Sequence, residues 1–218
     1  MDYLIKAVLF DLDGVVIDST LAIEKFWKQW AEKENVVLDD EKIRKYVHGR
    51  RGIETIEILF SQSTPETKEN IQRTAIDNDE AMAPGVIKGL YELITHLHAL
   101  NIPIGLVTSS HIKRVHRMLK NNKLDHYFTA IISREDVQHG KPHPEPYLKM
   151  AKKLNIHPSE CLVFEDADSG IQAALDAGMH VIAIGNQAFD KVVAFINDFT
   201  ELALAAKEIK IREAVLRF

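Results

Sequence analysis

The chain has 218 residues, 46% of them hydrophobic and 27% charged, which is the composition of an ordinary folded protein and excludes a disordered or collagen-like one. The length suits one core with a modest insert. With 32 acidic against 27 basic residues the net charge is −5 and no Lys/Arg run stands out, so neither nucleic acid nor an anionic membrane surface is an expected partner.

The first apolar burst, Ala7 to Phe10, follows Lys6 and is closed by Asp11 and Asp13, too short for the apolar stretch of a signal peptide. No run reaches the ~18 apolar residues of a membrane helix, so a soluble, unprocessed chain is expected. Short β-branched runs recur at Lys6 to Phe10, Pro103 to Val107, Ala130 to Ser133, Cys161 to Phe164 and His180 to Ile184, and each reads as a buried strand. From Ser19 to Met82 the apolar period is helical instead: Phe26, Trp27 and Trp30 share a face, and Ile43, Val47, Ile56, Ile58, Leu59 and Ile71 follow. This stretch predicts a small all-helical domain over 19–82, returning through Ala83-Pro84-Gly85, with the two tryptophans in its own core. Val86 to Leu100 and Ser169 to Ala177 predict further helices.

Strands alternating with helices imply an α/β fold with a doubly wound parallel sheet, built from 1–18 and 83–218. The tail from Leu202 to Phe218 reads as an amphipathic helix packed on that sheet, with a dimer contact as its other use, so a monomer or weak homodimer is expected. Cys161, the single cysteine, reads as a buried strand thiol, and a reducing, cytoplasmic compartment fits.

Ligands of a parallel sheet bind at the carboxyl ends of its strands. There the sequence places Asp11-Leu12-Asp13-Gly14, then Thr108-Ser109-Ser110-His111, then Gly140-Lys141-Pro142, then Glu165-Asp166-Ala167-Asp168-Ser169-Gly170. Singly, each has an ordinary use as a cap, a turn or a solvated lysine. Together the carboxylates repel one another and call for a hard cation such as Mg²⁺. Asp168, Ser169 and Gly170 read as the start of the next helix. His111 reads as a capping or solvent-facing residue. The ten histidines show no metal-site spacing supported by Cys or a second His pair: His96 and His98 are two apart on a helix and point away from each other.

These four segments, in this order, resemble the signature of the haloacid dehalogenase superfamily, in particular its β-phosphoglucomutase-like and sugar-phosphate phosphatase branch. The resemblance runs from about Lys6 to Gly185 and implies that 19–82 is a helical cap inserted after the first segment. It implies that Asp11 is the nucleophile, forming an aspartyl-phosphate, and that the Asp13 side chain is the general acid and base, a role that asks for a raised pKa or strong coupling to substrate. By the same resemblance Mg²⁺ is held by Asp11, the Asp13 carbonyl and Asp166, with Glu165 ligating directly or through water. Lys141 and Thr108 serve the nucleophile and the phosphoryl group, and Ser109 and Ser110 help to bind it. In the cap, His48-Gly49-Arg50 is the segment for substrate, with Arg50 able to fork onto oxygen atoms and His48 beside it.

The implied activity is Mg²⁺-dependent hydrolysis of a small phosphorylated metabolite, a sugar phosphate being the expected substrate. The alternative within the branch is a phosphomutase, but mutases there carry a cap histidine ten residues after the second aspartate, where this chain has Ile23. From another class, a phospho-Asp receiver or binding module shares acidic residues, a Thr and a Lys, but such a domain is short and has no insert between its first strand and Thr108.

Overall fold

The computed structural model describes residues 2–185, 189, 191–205, 208–211 and 214–218. Among these, six strands form one parallel sheet: β2 (Ala7–Phe10), β3 (Ile104–Val107), β4 (Ala130–Ile132), β5 (Cys161–Glu165), β6 (His180–Ile184) and β7 (Ala194–Ile196), in the order β4-β3-β2-β5-β6-β7. β2 lies inside the sheet, paired with β3 through Val8↔Ile104 and with β5 through Ala7↔Cys161.

All four β2 residues are buried because the sheet is covered on both faces. Val8 and Phe10 pack on one side with Leu93 and Leu97 of α5 (Leu90–Ala99) and Val115 and Met118 of α6 (Ile112–Asn121). Ala7 and Leu9 face the other side, with Tyr147 and Met150 of α7 (Glu145–Leu154) and Ile171 and Ala174 of α8 (Asp168–Asp176). Such two-sided burial is what a continuous apolar run encodes. Cys161 lies in this interior, and burial pushes its thiol up to about 11, away from thiolate chemistry.

Four helices follow the first strand of this sheet: α1 (Thr20–Lys33), α2 (Asp40–Tyr46), α3 (Gly52–Leu59) and α4 (Pro65–Ala81). They enclose a separate cluster of Phe26, Trp27, Trp30, Ile43, Val47, Ile56, Phe60 and Ile71. The Trp30 indole N–H donates to Thr74 Oγ1 at 3.1 Å, so this ring is buried with its polar edge satisfied. Helix starts are local chemistry: Asp39 accepts from the Lys42 amide, and Thr64 accepts from the Thr67 amide with Pro65 in the first turn. The connections in and out run side by side, joined by Asp18 N–H to Gly85 O at 3.0 Å and a bridge between Ile17 and Val86.

Two expectations are corrected. The tail is not a helix: β8 (Ala203–Ala205), β9 (Glu208–Ile211) and β10 (Ala214–Arg217) join β1 (Asp2–Leu4) in a second sheet, ordered β1-β10-β9-β8. Its apolar period is two, since Ile209 and Leu216 are fully buried between exposed or half-buried neighbours, and β1 adds to β10 in parallel through Tyr3↔Leu216. The helix expected from Val86 begins only at Leu90, because Val86 is held in the bridge to Ile17 and Gly89 turns the chain with φ +80°. A Cβ on Gly89 would lie 2.7 Å from the Thr200 amide nitrogen.

Candidate active site

The strand ends meet where expected, and the buried groups are connected more tightly than the sequence reveals. Asp11 and Glu165, at the ends of neighbouring β2 and β5, share one lysine. Lys141 Nζ donates to Asp11 Oδ1 at 2.6 Å, to Glu165 Oε1, and to the Val107 carbonyl at 3.1 Å. Glu165 is wholly enclosed: Tyr147 OH donates to its Oε1 at 2.9 Å, and the amides of Asp166 and Ala167 donate to its Oε2 at 3.0 and 3.1 Å. Lys141 Nζ also sits 5.2 Å from the centre of the Tyr147 ring.

Burial is the main force on Asp11 and raises its pKa to about 7; Lys141 pulls it down, while Glu165 and Asp13 push it up. Burial, with the charges of Glu165 and Asp11 added, raises Asp166 well above the carboxylate range. Burial opposes the charge on Lys141, but Asp11 and Glu165 outweigh it and hold the ammonium firmly protonated.

Asp13 is set differently. The Arg114 guanidinium grips both its oxygens at 2.7 Å, Ser110 Oγ donates to it at 3.1 Å, and Ser19 Oγ donates from the start of the helical segment. Burial works to raise its pKa, yet Arg114, Ser19 and Ser110 together hold it below its ordinary value. The raised pKa that an acid role asks for is therefore absent in this arrangement. Arg114 also donates through Nε to Asp79 on α4, and Arg117 donates to the other Asp79 oxygen at 2.8 Å. The core aspartate and the helical segment are thus held by one arginine.

Asp11, Asp13, Asp166, Thr108, Ser109, Ser110, His48 and Arg50 all line a cavity of about 830 Å³, with Lys141 and Glu165 buried behind them. Ser109 Oγ donates to the Gly49 carbonyl at 2.8 Å, drawing the His48-Gly49-Arg50 loop onto the core. The Arg50 Nε is buried without a partner. Arg51 is a tether instead, donating to the carbonyls of Arg134 and Val137 at 3.4 and 3.2 Å. His48 sits 3.2 Å from Glu24, with its pKa lowered chiefly by burial. His111 caps α6, its Nδ1 accepting from the Lys113 amide at 3.1 Å.

The family model for haloacid dehalogenase-like hydrolases matches residues 8–184, the span that carries every one of these groups. The chain belongs to that family. Hexitol phosphatase A of Escherichia coli is 33% identical over 188 residues, 84% of each chain. The β-phosphoglucomutase of Bacillus subtilis is 30% identical over 96% of this chain and 99% of its own. The crystal structure of β-phosphoglucomutase from Clostridium difficile superposes with a TM-score of 0.74 at 26% identity, covering 91% of this chain and 93% of that one.

For a haloacid dehalogenase-like hydrolase the acidic group is suited to a hard dication. Asp11, Glu165 and Asp166 bring carboxylate oxygens within 4.8 Å of one another, and Lys141 offsets only part of their charge. Burial is the main reason Asp11 and Asp166 are raised, and their mutual repulsion with Glu165 adds to it, so a bound dication would relieve both.

The glycines of this family member have site-specific reasons. A Cβ on Gly14, already at φ +75°, would lie 2.0 Å from Asp166 Oδ2. Gly170, expected merely to open a helix, leaves room for Glu165: its Cβ would lie 1.7 Å from Oε1. Asp168 does not cap that helix either, since Ala167 is the cap residue and Asp168 Oδ1 is buried without a partner. Gly170→Ala should lower the unfolding free energy by at least about 2 kcal/mol, because Glu165 is pinned by Lys141 and Tyr147 and has nowhere to go. Urea denaturation measures it, and a wild-type midpoint would show that the glutamate is free to move.

The sequence reading missed Arg114, Tyr147, Asp79 and Ser19. Arg114 had a weaker signal: it lies in the first turn of α6, the helix that starts just after Ser110 at the site, and its Nη1 donates to Ser110 Oγ at 2.9 Å.

Proposed function

We propose that this protein is a Mg²⁺-dependent phosphomonoester hydrolase for a small sugar or polyol phosphate, acting through an aspartyl-phosphate on Asp11. The observation that carries the proposal is the buried Lys141–Asp11–Glu165 arrangement behind a cavity that Asp11, Asp13 and Thr108 line together. The named activity of the Escherichia coli relative, a hexitol phosphatase, supports the substrate class, and the cavity has the volume of a small-metabolite site.

In this reading Asp11 attacks phosphorus in line, the new bond forming to its carboxylate oxygen as the bond to the ester oxygen breaks. Asp13 supplies the proton to the departing alkoxide. It then takes a proton from the water that cleaves the acyl-phosphate, and Asp11 is regenerated. Because Arg114 keeps Asp13 ionised at rest, Asp13 first takes up a proton, from solvent or from the phosphate monoanion, as substrate displaces part of that grip, and it gives the proton taken from water back to the departing phosphate or to solvent when the grip re-forms. Thr108, Ser109 and Ser110 offer donors to the phosphoryl oxygens, with Lys141 fixing the nucleophile. Mg²⁺ on Asp11, Asp166 and the Asp13 carbonyl would reduce the repulsion between carboxylate and phosphate and stabilise charge on the phosphoryl group. Glu165 is occupied by Lys141, Tyr147 and two amides, so its part in the metal site is to orient Lys141.

The helices from Thr20 to Ala81 act as the cap in this proposal, with Arg50 and His48 meeting the sugar. Water, not a second sugar, is the acceptor: Ile23 lines the cavity where the mutases of the branch place a histidine, and an apolar side chain carries no proton. Incubation with hexitol, hexose and glycerol phosphates, followed by phosphorus NMR, tests this. Inorganic phosphate should appear with Mg²⁺ and not with EDTA. Isomeric sugar phosphate without free phosphate would establish a mutase, and release undiminished in EDTA would remove the metal from the reaction.

A further inference from the structure

We propose that His139, His143 and Glu145 form a second cation site, selective for a borderline transition-metal dication of the Zn²⁺, Co²⁺ or Ni²⁺ class, on the outer side of the loop that carries Lys141. The residues offer one ligand atom each within 4.8 Å of one another. The His139 Nδ1 atom lies 3.0 Å from Glu145 Oε2, and the two imidazole rings have centroids 4.7 Å apart and planes inclined by 33°. Two imidazoles and a carboxylate form a donor set for this class of ion, whereas the all-oxygen cluster at Asp11 and Asp166 suits Mg²⁺. Three protein ligands leave further positions for water. The site is not legible in the sequence, because its residues are gathered by a turn and not by a helical or strand period.

The loop is already built to hold these ligands. Glu145, in the first turn of α7, accepts from the amides of Gln138 and His139 at 3.0 and 2.9 Å. The His143 amide donates to the Gly140 carbonyl at 3.0 Å, and the Glu145 amide donates to His143 Nδ1 at 3.1 Å. Lys149 holds the other Glu145 oxygen at 2.7 Å, leaving Oε2 on the side of His139. An incoming ion replaces the His139–Glu145 hydrogen bond and the weak bond at His143 Nδ1, so little ordering remains to be done. His139 and His143 are exposed, while Lys141 between them turns inward and is buried, so the ion is reached from solvent without entering the catalytic cavity. Bound there, it joins the two flanks of the lysine loop and stiffens it.

The binding and melting readouts do not depend on the phosphatase reading, which enters only through the turnover control. Protein saturated with millimolar Mg²⁺, which fills the acidic cluster, is titrated with Co²⁺ by visible absorption and with Zn²⁺ by calorimetry. One equivalent should bind with nitrogen-ligand Co²⁺ bands. His139→Ala and His143→Ala should each weaken binding by at least about tenfold. Zn²⁺ should raise the melting temperature of the wild type and leave the double variant unmoved, while both single variants keep wild-type turnover without added transition metal. Saturable binding that survives intact in the double variant, or no saturable binding in the wild type, would overturn the assignment.

Discussion

Asp11→Asn should abolish phosphate release, by on the order of 10⁴-fold or more, while leaving the fold at least as stable as the wild type at pH 8 without metal. The amide keeps the shape of the carboxyl and a carbonyl oxygen for Lys141 but cannot form the acyl-phosphate. The stability half follows from the direction of the pKa shift. Asp11 is raised from 3.8 to about 7 in the folded protein, so its contribution is fully present below pH 4 and is lost as pH rises towards 7. Asparagine never ionises, and that loss disappears. Phosphate release and melts at pH 5 and pH 8 measure both halves. Wild-type turnover would end the nucleophile assignment, and a variant markedly less stable at pH 8 would contradict the electrostatic account of the site.

Lys141→Met should be the costliest single change to the fold. It removes the ammonium that bonds to two buried carboxylates, Asp11 and Glu165, and breaking a buried pair from one side costs about 3–5 kcal/mol. The deficit should be larger at pH 8 than at pH 5, because Lys141 pulls the Asp11 pKa down and without it that carboxyl takes up a proton more readily. Lysine's own raised pKa places the loss of its contribution only above about pH 10.5, outside this window. Urea unfolding at the two pH values reads the difference. A deficit equal at both would mean that methionine acts through packing alone.

The parts of this protein that were legible in its sequence are those written in consecutive residues. Ala7 to Phe10 and Cys161 to Phe164 announce themselves as strands because both faces of the sheet are covered, and the acidic, hydroxyl and lysine residues after them mark the site. The tail misled because Ala, Leu, Glu and Lys favour helix, while its alternation of Ile209 with Lys210, and of Leu216 with Arg217, is a strand pattern; β9 pairs with its neighbours β8 and β10, and β10 takes a further partner, β1, from far away in sequence. The grip of Arg114 on Asp13 and of Tyr147 on Glu165 could not be read at all, since folding alone brings those pairs together. The same holds for His139 and Glu145, which meet across a loop.

The position of β2 inside the sheet has a consequence for how the chain is made. Ala7–Phe10 leaves the ribosome well before its two neighbours in the sheet, Ile104–Val107 and Cys161–Glu165. At translation rates of roughly 5–20 residues per second, this apolar strand waits on the order of ten seconds for its second partner. The helices from Thr20 to Ala81, whose contacts are local, have everything they need much earlier. Between the synthesis of Ala81 and that of Cys161–Glu165 the nascent protein therefore carries a complete helical segment beside a strand with an unpaired, sticky edge. Slowing elongation after residue 107 should lengthen the interval in which a holdase or a neighbouring nascent chain can capture it.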